Sequence, residues 1–239
     1  MSRYTARCSI SLTETLKEKK FFLACYAVLL AAGILPFVVW RHGDVVLYVH
    51  THCGAGHMGR LSVWTSMLGS KYGYALLLMV YAVRQASVRT LFIGGGTFLV
   101  LSGVVQCLKR LVFPYAVRPL YWLPADLIHL IEPRGSCEHY LSFPSGHTAI
   151  AFAMAGFVCL TYRSQRMATL VYVSALLAAS SVAFARLCLG YHFYRDVYAG
   201  ACVGGVSALL TYVMLHCWQP QAHWMTQSLE QHWKRRCRP

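Results

Sequence analysis

The chain has 239 residues, of which 57% are hydrophobic and 13% are charged, and its mean hydropathy is +0.47. A soluble domain carries roughly 25% charged residues, so this composition excludes an ordinary soluble domain and indicates a membrane protein. The net charge of +14 does not indicate a nucleic-acid partner, because the basic residues fall between apolar runs, where they suit the surface of a lipid bilayer.

Six apolar segments are each about 20 residues long, which is enough to cross roughly 30 Å of hydrocarbon. They lie at 21–40, 62–83, 90–108, 145–162, 168–187 and 194–217. We therefore predict an all-α integral membrane fold with six transmembrane helices. The first segment is expected to be a retained helix, because it is too long for the apolar part of a signal peptide and no small-residue cleavage site follows it before Arg41.

The short connections at 84–89 and 163–167 carry basic residues and no acidic ones, which predicts that they lie in the cytoplasm. Six spans then place both termini in the cytoplasm. The connection at 109–144 falls on the opposite face, which is periplasmic in a bacterial inner membrane. The predicted organisation is an N-terminal cytoplasmic segment at 1–20, a six-helix membrane domain at 21–218 and a basic cytoplasmic tail at 219–239.

The outer connection at 109–144 is interrupted by prolines, so it is not one continuous helix. Within it, residues 125–131 are predicted to form a short helix at the membrane surface, and residues 121–139 are candidate substrate selectors. Cys53 and Cys137 both fall in outer loops, which leaves open a disulfide between them. Most other cysteines lie in or beside apolar runs as small buried hydrophobes, and no spacing indicates a zinc site.

His192 and Asp196 are four residues apart near the start of the sixth segment. At that spacing on a helix the side chains share a face, so the carboxylate can hold one imidazole nitrogen and leave the other free to attack. The alternative is a pair that only ties two elements together. Because an ionisable residue at membrane depth is a functional candidate by default, we favour the catalytic interpretation.

The run Pro144-Ser145-Gly146-His147-Thr148 opens the fourth segment. Free backbone N–H groups and the positive end of the helix dipole attract an anion at a helix N-terminus, and His147 in the first turn is placed to donate a proton. The alternative is that Ser145 only caps the helix and that His147 is solvated.

Four basic residues beside the apolar segments supply fixed positive charge: Lys109, Arg110, Arg118 and Arg186. The planar fork of arginine matches phosphate oxygens, whereas lysine acts as a point charge. The pair Lys109-Arg110 also fits an ordinary flank at the end of the third segment.

Three stretches in chain order, at 109–119, 144–148 and 186–196, together resemble the signatures of the type 2 phosphatidic-acid phosphatases. That superfamily includes glucose-6-phosphatase and the vanadium haloperoxidases. The Pro-Ser-Gly-His signature is intact at 144–147. The third signature, Ser-Arg-x5-His-x3-Asp, is intact at Arg186, His192 and Asp196, although Ala185 stands where the family has Ser.

The first signature, Lys-x6-Arg-Pro, departs from the family pattern, because Leu111 occupies the position seven before Arg118. Lys109 with a loop two residues longer is favoured for the lysine role. Arg110 is the alternative.

The resemblance implies a membrane phosphatase that needs neither a metal nor another cofactor. His192, oriented by Asp196, is then the nucleophile that forms a phosphohistidine, and His147 protonates the leaving oxygen. The resemblance also implies that the phosphate oxygens are held by Lys109, Arg118, Ser145, Gly146 and Arg186.

The implied substrate is a phosphorylated membrane lipid at the outer face. Lipid A is favoured, and undecaprenyl diphosphate, phosphatidylglycerophosphate and phosphatidate stay open. Loss of a lipid A phosphate reduces surface negative charge, which predicts resistance to cationic antimicrobial peptides. The competing hypothesis is a six-helix transporter or binder of an anionic solute or lipid, which is disfavoured because the ionisable residues gather at one face. The sequence does not indicate an oligomeric state.

Two further features are interpreted as structural. An outer loop contains His50, His52, Cys53 and His57 without a regular zinc spacing, so we predict no metal there. The glycines at 94–96 are not followed by the Lys-Ser/Thr of a phosphate-binding loop, so they do not indicate one. Gly200 and Gly204 are four residues apart, the small-xxx-small spacing found where helices pack closely. We expect close helix packing at both sets of glycines.

Overall fold

A computed structural model of the chain describes residues 17–84, 87–124 and 139–217, and these residues are helical with short connections. This confirms the predicted all-α class. The helices are α1 Lys20–Ala32, α2 Leu35–Val39, α3 Asp44–Cys53, α4 Gly56–Leu68, α5 Lys71–Val83, α6 Val88–Cys107, α7 Pro119–Trp122, α8 Gly146–Thr161, α9 Ala168–Cys188 and α10 Tyr194–Cys217. A π-helical turn at Leu108–Val112 extends α6.

Four helical stretches in the described residues are long and apolar enough to cross a membrane: Lys20–Val39, Val88–Val112, Ala168–Cys188 and Tyr194–Leu215. They correspond to the first, third, fifth and sixth predicted segments. The helices α5 and α8 are apolar but shorter. Apolar helices on this scale indicate a multi-pass membrane protein.

The continuous helix predicted over 62–83 is wrong, because the chain breaks between α4 and α5. The side chain of Ser70 caps α5 by accepting a hydrogen bond from the backbone N–H of Gly73 at 3.2 Å. At Gly69 an added Cβ would lie 2.5 Å from the backbone oxygen of His147. The break therefore lies where the chain presses against the start of α8, a long-range contact that hydropathy does not report.

The helices α8 and α10 pack backbone against backbone, and this contact forms the centre of the fold. A Cβ added at Gly200 would lie 2.6 Å from the carbonyl oxygen of Ser145, and one at Gly204 would lie 2.3 Å from that of Ala149. From the other side, a Cβ at Gly156 would lie 2.7 Å from the Cβ of Ala208. The close packing predicted for Gly200 and Gly204 is confirmed.

The glycines of α6 divide between packing and open positions. A Cβ at Gly94 would lie 2.4 Å from the side chain of Leu78, whereas one at Gly95 would meet nothing described within 4 Å. The packing expected of this run therefore holds for Gly94 and not for Gly95.

At the end of the bundle where α8 and α10 finish, two basic side chains bind backbone carbonyls. Lys19 is buried and donates to the carbonyl oxygen of Tyr162. Arg89 donates to the carbonyl oxygen of Leu215 at 3.0 Å. Cations placed against the carbonyl ends of helices stabilise those ends electrostatically. The candidate site lies at the opposite end of the bundle.

Replacing Gly204 with alanine is expected to destabilise the protein, because the new methyl group would overlap the backbone of Ala149 and lie 3.0 Å from the backbone nitrogen of Ala153. Overpacking of this kind costs about 1–3 kcal/mol. The thermal midpoint of the purified protein in detergent should fall.

The matched control is Gly103→Ala in α6, where an added methyl group would meet nothing described within 4 Å. Alanine is favoured over glycine in a helix by up to about 1 kcal/mol, so this midpoint should hold or rise. Equal midpoints for the two variants would contradict the packing described for α8 and α10.

Candidate functional site

The site forms where the start of α8 meets the turn between α9 and α10. The backbone N–H of Ser145 donates to the carbonyl oxygen of Asp196 at 2.9 Å, which joins the second and third sequence motifs directly. The side chain of Ser145 caps α8. Gly190, at φ +66°, takes the left-handed conformation that turns the chain from α9 towards α10.

The predicted pair of His192 and Asp196 is brought together and fully buried. Their side chains are 2% and 0% exposed, and His192 Nδ1 lies 3.7 Å from Asp196 Oδ2. That distance is longer than a hydrogen bond, and Ser142 lies beside both groups. Its hydroxyl donates to Asp196 Oδ2 at 2.5 Å and lies 3.4 Å from His192 Nδ1. The backbone N–H of Phe193 adds a bond to the same carboxylate oxygen at 3.0 Å.

The other imidazole nitrogen of His192 faces Arg118. Nε2 of the ring lies 3.4 Å from Arg118 Nη1, which also donates to the carbonyl oxygen of Tyr191 at 3.1 Å. Arg118 is buried, and its Nε has no hydrogen-bond partner among the residues that the structure describes. Arg118 therefore has donor capacity beside the nitrogen that Asp196 and Ser142 leave free.

The predicted cations Arg186 and Lys109 also lie around this point. Arg186 is buried near the end of α9 and donates to the hydroxyl of Ser66 at 2.6 Å. Lys109 donates to the carbonyl oxygen of Leu141 at 2.6 Å. By contrast, Arg110 is directed to Gln106 Oε1 on the exposed side of its helix, at 3.0 Å.

The electrostatic environment keeps His192 neutral. Burial lowers its pKa well below the usual value, and the charges of Arg118, Arg186 and Lys109 lower it further, as does that of His147. A neutral imidazole keeps the lone pair that a nucleophile needs.

The start of α8 leaves room for a ligand. A Cβ added at Gly146 would meet no described heavy atom within 4 Å, so the backbone there borders open space. His147 follows in the first turn and is half-buried. A helix N-terminus that borders open space beside several cations is suited to hold an anion.

Two buried side chains that no sequence motif identified hold the end of α9. Ser66 on α4 accepts the hydrogen bond from Arg186 and is 3% exposed. His50 on α3 is 0% exposed and donates through Nδ1 to the carbonyl oxygen of Cys188 at 2.7 Å. The sequence offered no signal for either hydrogen bond, because each one joins segments that are far apart in the chain.

The group of His50, His52, Cys53 and His57 does not converge on one point. His52 Nδ1 bonds the carbonyl oxygen of Tyr48 at 2.7 Å, and His57 Nδ1 lies 3.3 Å from Arg60 Nη2. In the described ranges no cluster of three or more His, Cys, Asp or Glu side chains has the arrangement of a metal site.

Several expectations fall outside the described residues. They are the surface helix at 125–131, most of the selector segment 121–139, and the disulfide between Cys53 and Cys137. Most of the N-terminal segment 1–20 and the tail 219–239 are also outside them.

Replacing Ser66 with alanine should weaken phosphate binding without unfolding the protein, because one hydrogen bond that orients the guanidinium of Arg186 is lost. A bond to a charged group contributes about 1.5–3 kcal/mol, so the dissociation constant for inorganic phosphate should rise about tenfold or more. Titration calorimetry measures it. Ser181→Ala on α9 is the control, since the Ser181 hydroxyl is exposed and bonds only its own helix at Ala178. An unchanged affinity in Ser66→Ala would exclude this role.

The part of the chain that contains this site matches a known protein family. The family model of the PAP2 superfamily matches residues 91–219, more than half of the chain. A lipid A 4'-phosphatase of Bacteroides thetaiotaomicron is 32% identical over 92 residues, which are 38% of this chain and 38% of that protein. The chain therefore matches well under half the length of that curated relative.

Two solved structures share the fold. LpxE of Aquifex aeolicus is 23% identical, with a TM-score of 0.56 over 69% of this chain and 92% of that chain. A transmembrane PAP2-type phosphatidylglycerolphosphate phosphatase from Bacillus subtilis is 20% identical, with a TM-score of 0.56 over 87% and 98% of the two chains. Because the family match spans more than half of the chain and includes every residue from Lys109 to Asp196, this protein belongs to the PAP2 superfamily.

Proposed function

We propose that this protein is a membrane phosphatase that hydrolyses a phosphate monoester or diphosphate of a lipid through a phosphohistidine on His192. The observation that carries the proposal is the setting of the His192 ring. Its Nδ1 side faces Ser142 and Asp196, and its Nε2 side faces Arg118. This arrangement presents a lone pair on one nitrogen towards a guanidinium that can hold phosphate oxygens.

In the first step Nε2 of His192 attacks phosphorus in line with the bond to the lipid oxygen. The P–N bond forms as the P–O bond breaks, and the Nδ1 proton stays with the ring, where the carboxylate of Asp196 stabilises the positive charge that develops. His147 gives its proton to the leaving oxygen, which prevents the release of a free alkoxide.

Fixed positive charge stabilises the transferred phosphoryl group in this mechanism. Lys109, Arg118 and Arg186 neutralise its oxygens, and the backbone N–H of Gly146 at the start of α8 donates a hydrogen bond to one of them. The N–H of Ser145 already donates to the carbonyl oxygen of Asp196, so this N–H does not bind the phosphate. Because these groups are already oriented by the protein, the mechanism needs no metal ion. Lys109 takes the lysine role, since its charge acts on His192 whereas Arg110 turns to Gln106.

The second step reverses the proton transfers. His147, now neutral, takes a proton from water as the water oxygen attacks phosphorus. The P–N bond breaks, inorganic phosphate leaves, and Nε2 of His192 regains its lone pair. One histidine thus acts as acid and then as base, while the other carries the phosphoryl group.

A lipid substrate is supported by the position of the site at one end of apolar helices. Lipid A is the favoured lipid, because a curated relative of this chain is a lipid A 4'-phosphatase. We place the protein in a bacterial inner membrane with six spans, both termini in the cytoplasm and the site facing the periplasm. The basic connections at 84–89 and 163–167 support this orientation.

Purified protein in detergent–lipid micelles with excess EDTA should release phosphate from at least one of four lipids: lipid A, undecaprenyl diphosphate, phosphatidylglycerophosphate or phosphatidate. Colorimetric phosphate assay measures the rate. His192→Ala should lose several orders of magnitude, since nucleophile removal abolishes the covalent route.

The control is His52→Ala, which removes an exposed histidine on α3 outside the proposed site and should keep the wild-type rate. Activity that disappears with EDTA and returns with a divalent cation would contradict metal independence. Equal rates for wild type and His192→Ala would contradict the nucleophile.

A further inference from the structure

A cleft opens beside Arg195, whose Nε lies 3.5 Å from Asp196 Oδ1. Residues 112–116, Phe143 and Arg195 line it, and its volume is about 430 Å³. That volume falls in the range of roughly 300–1,000 Å³ that small-molecule sites occupy. We call it the entry cleft.

Two residues that line the entry cleft directly precede residues of the site in the sequence. Phe143 immediately precedes Pro144 and Ser145 at the start of α8, and Arg195 immediately precedes Asp196. The rings of Phe113 and Phe143 meet edge to face, with centroids 4.7 Å apart. Its wall is therefore aromatic and aliphatic, with Arg195 as the charged residue among those that line it.

Arg195 differs from the other cations of the site in its hydrogen bonding. Lys109, Arg118 and Arg186 each donate to a group of the protein. The side chain of Arg195 is 47% exposed, and its Nε lies 3.5 Å from Asp196 Oδ1. Its terminal nitrogens bond none of the described residues, so this fork is available to an anion.

The anion that Arg195 would bind is not the phosphate that is transferred. Phosphoryl transfer takes place at His192 Nε2, the nitrogen that faces Arg118. Arg195 instead contacts the carboxylate that lies on the Nδ1 side of the same ring. A single phosphate cannot occupy both sides of a buried imidazole.

We infer that the entry cleft is a second substrate subsite, in which Arg195 binds an anionic group that a spacer separates from the hydrolysed phosphate. The apolar wall takes the acyl part that adjoins this group. The inference rests on the proposed function and narrows it. It favours a lipid with two phosphates on opposite ends of a spacer over a lipid whose two phosphates are directly joined.

The test compares lipid A bearing two phosphates with lipid A bearing one, using wild type, Arg195→Gln and Arg110→Gln. Wild type should prefer the bisphosphorylated lipid in kcat/KM. Arg195→Gln should reduce the ratio of the two kcat/KM values about tenfold or more, as expected for loss of a charge-assisted contact. Arg110→Gln, which removes an exposed charge directed to Gln106, should leave the ratio unchanged.

Two results would overturn the inference: no preference in wild type, or a ratio unchanged in Arg195→Gln, whether the two kcat/KM values stay the same or fall equally. Equal losses would mean that Arg195 acts on Asp196 rather than on substrate. Partial recovery of the ratio in Arg195→Lys would support the charge as its origin, and no recovery would support the guanidinium fork; both agree with the subsite.

A binding experiment separates failure of this inference from failure of the proposed function. The affinities of His192→Asn for the two lipids are measured with and without Arg195→Gln. If wild type releases no phosphate, the proposed function fails. A preference for the bisphosphorylated lipid that disappears with Arg195→Gln still supports the subsite, and equal affinities overturn it.

Discussion

The backbones of α8 and α10 touch without intervening side chains at Gly200 and Gly204, and the site depends on this contact. It places the carbonyl oxygen of Asp196 within hydrogen-bond distance of the N–H of Ser145. The start of one helix, where we propose that phosphate binds, is thereby joined to the carboxylate beside the proposed nucleophile. Larger residues at these glycines would separate the helices and with them the two halves of the chemistry.

The second constraint is electrostatic. A buried imidazole surrounded by Lys109, Arg118 and Arg186 is held neutral, since both burial and like charge oppose its protonation. Placing these three cations close together costs electrostatic free energy. The same positive charge attracts a phosphate dianion strongly. In the proposed mechanism this arrangement combines a reactive nucleophile with the positive charge that a phosphate substrate requires, and phosphate binding relieves the repulsion among the cations.

The sequence predicted the parts of the site that depend on short spacing. His192 and Asp196 are four residues apart across the start of α10, and Ser145 caps the helix that it begins, so local rules were sufficient. The helical class followed from apolar length. The break at Gly69 was missed because its cause is a contact with α8, which lies far along the chain.

The supporting residues could not be predicted for the same reason. Ser142 bonds a residue 54 positions away, Ser66 bonds one 120 positions away, and His50 bonds one 138 positions away. Serine and histidine at such separations carry no periodic or spacing signal. Ser66 and His50 also precede residue 91, where the family match begins, so the first helices of the bundle support a site whose named signatures lie elsewhere.

The central claim is that phosphate passes through His192, and trapping the phosphorylated protein tests it most directly. Protein turning over a lipid labelled in the scissile phosphate is quenched in alkali, digested and mapped by mass spectrometry. We predict a phosphate that is stable to base, labile to acid and attached to the peptide containing His192. Label on another residue, or steady hydrolysis with no labelled peptide at any time, would contradict the account.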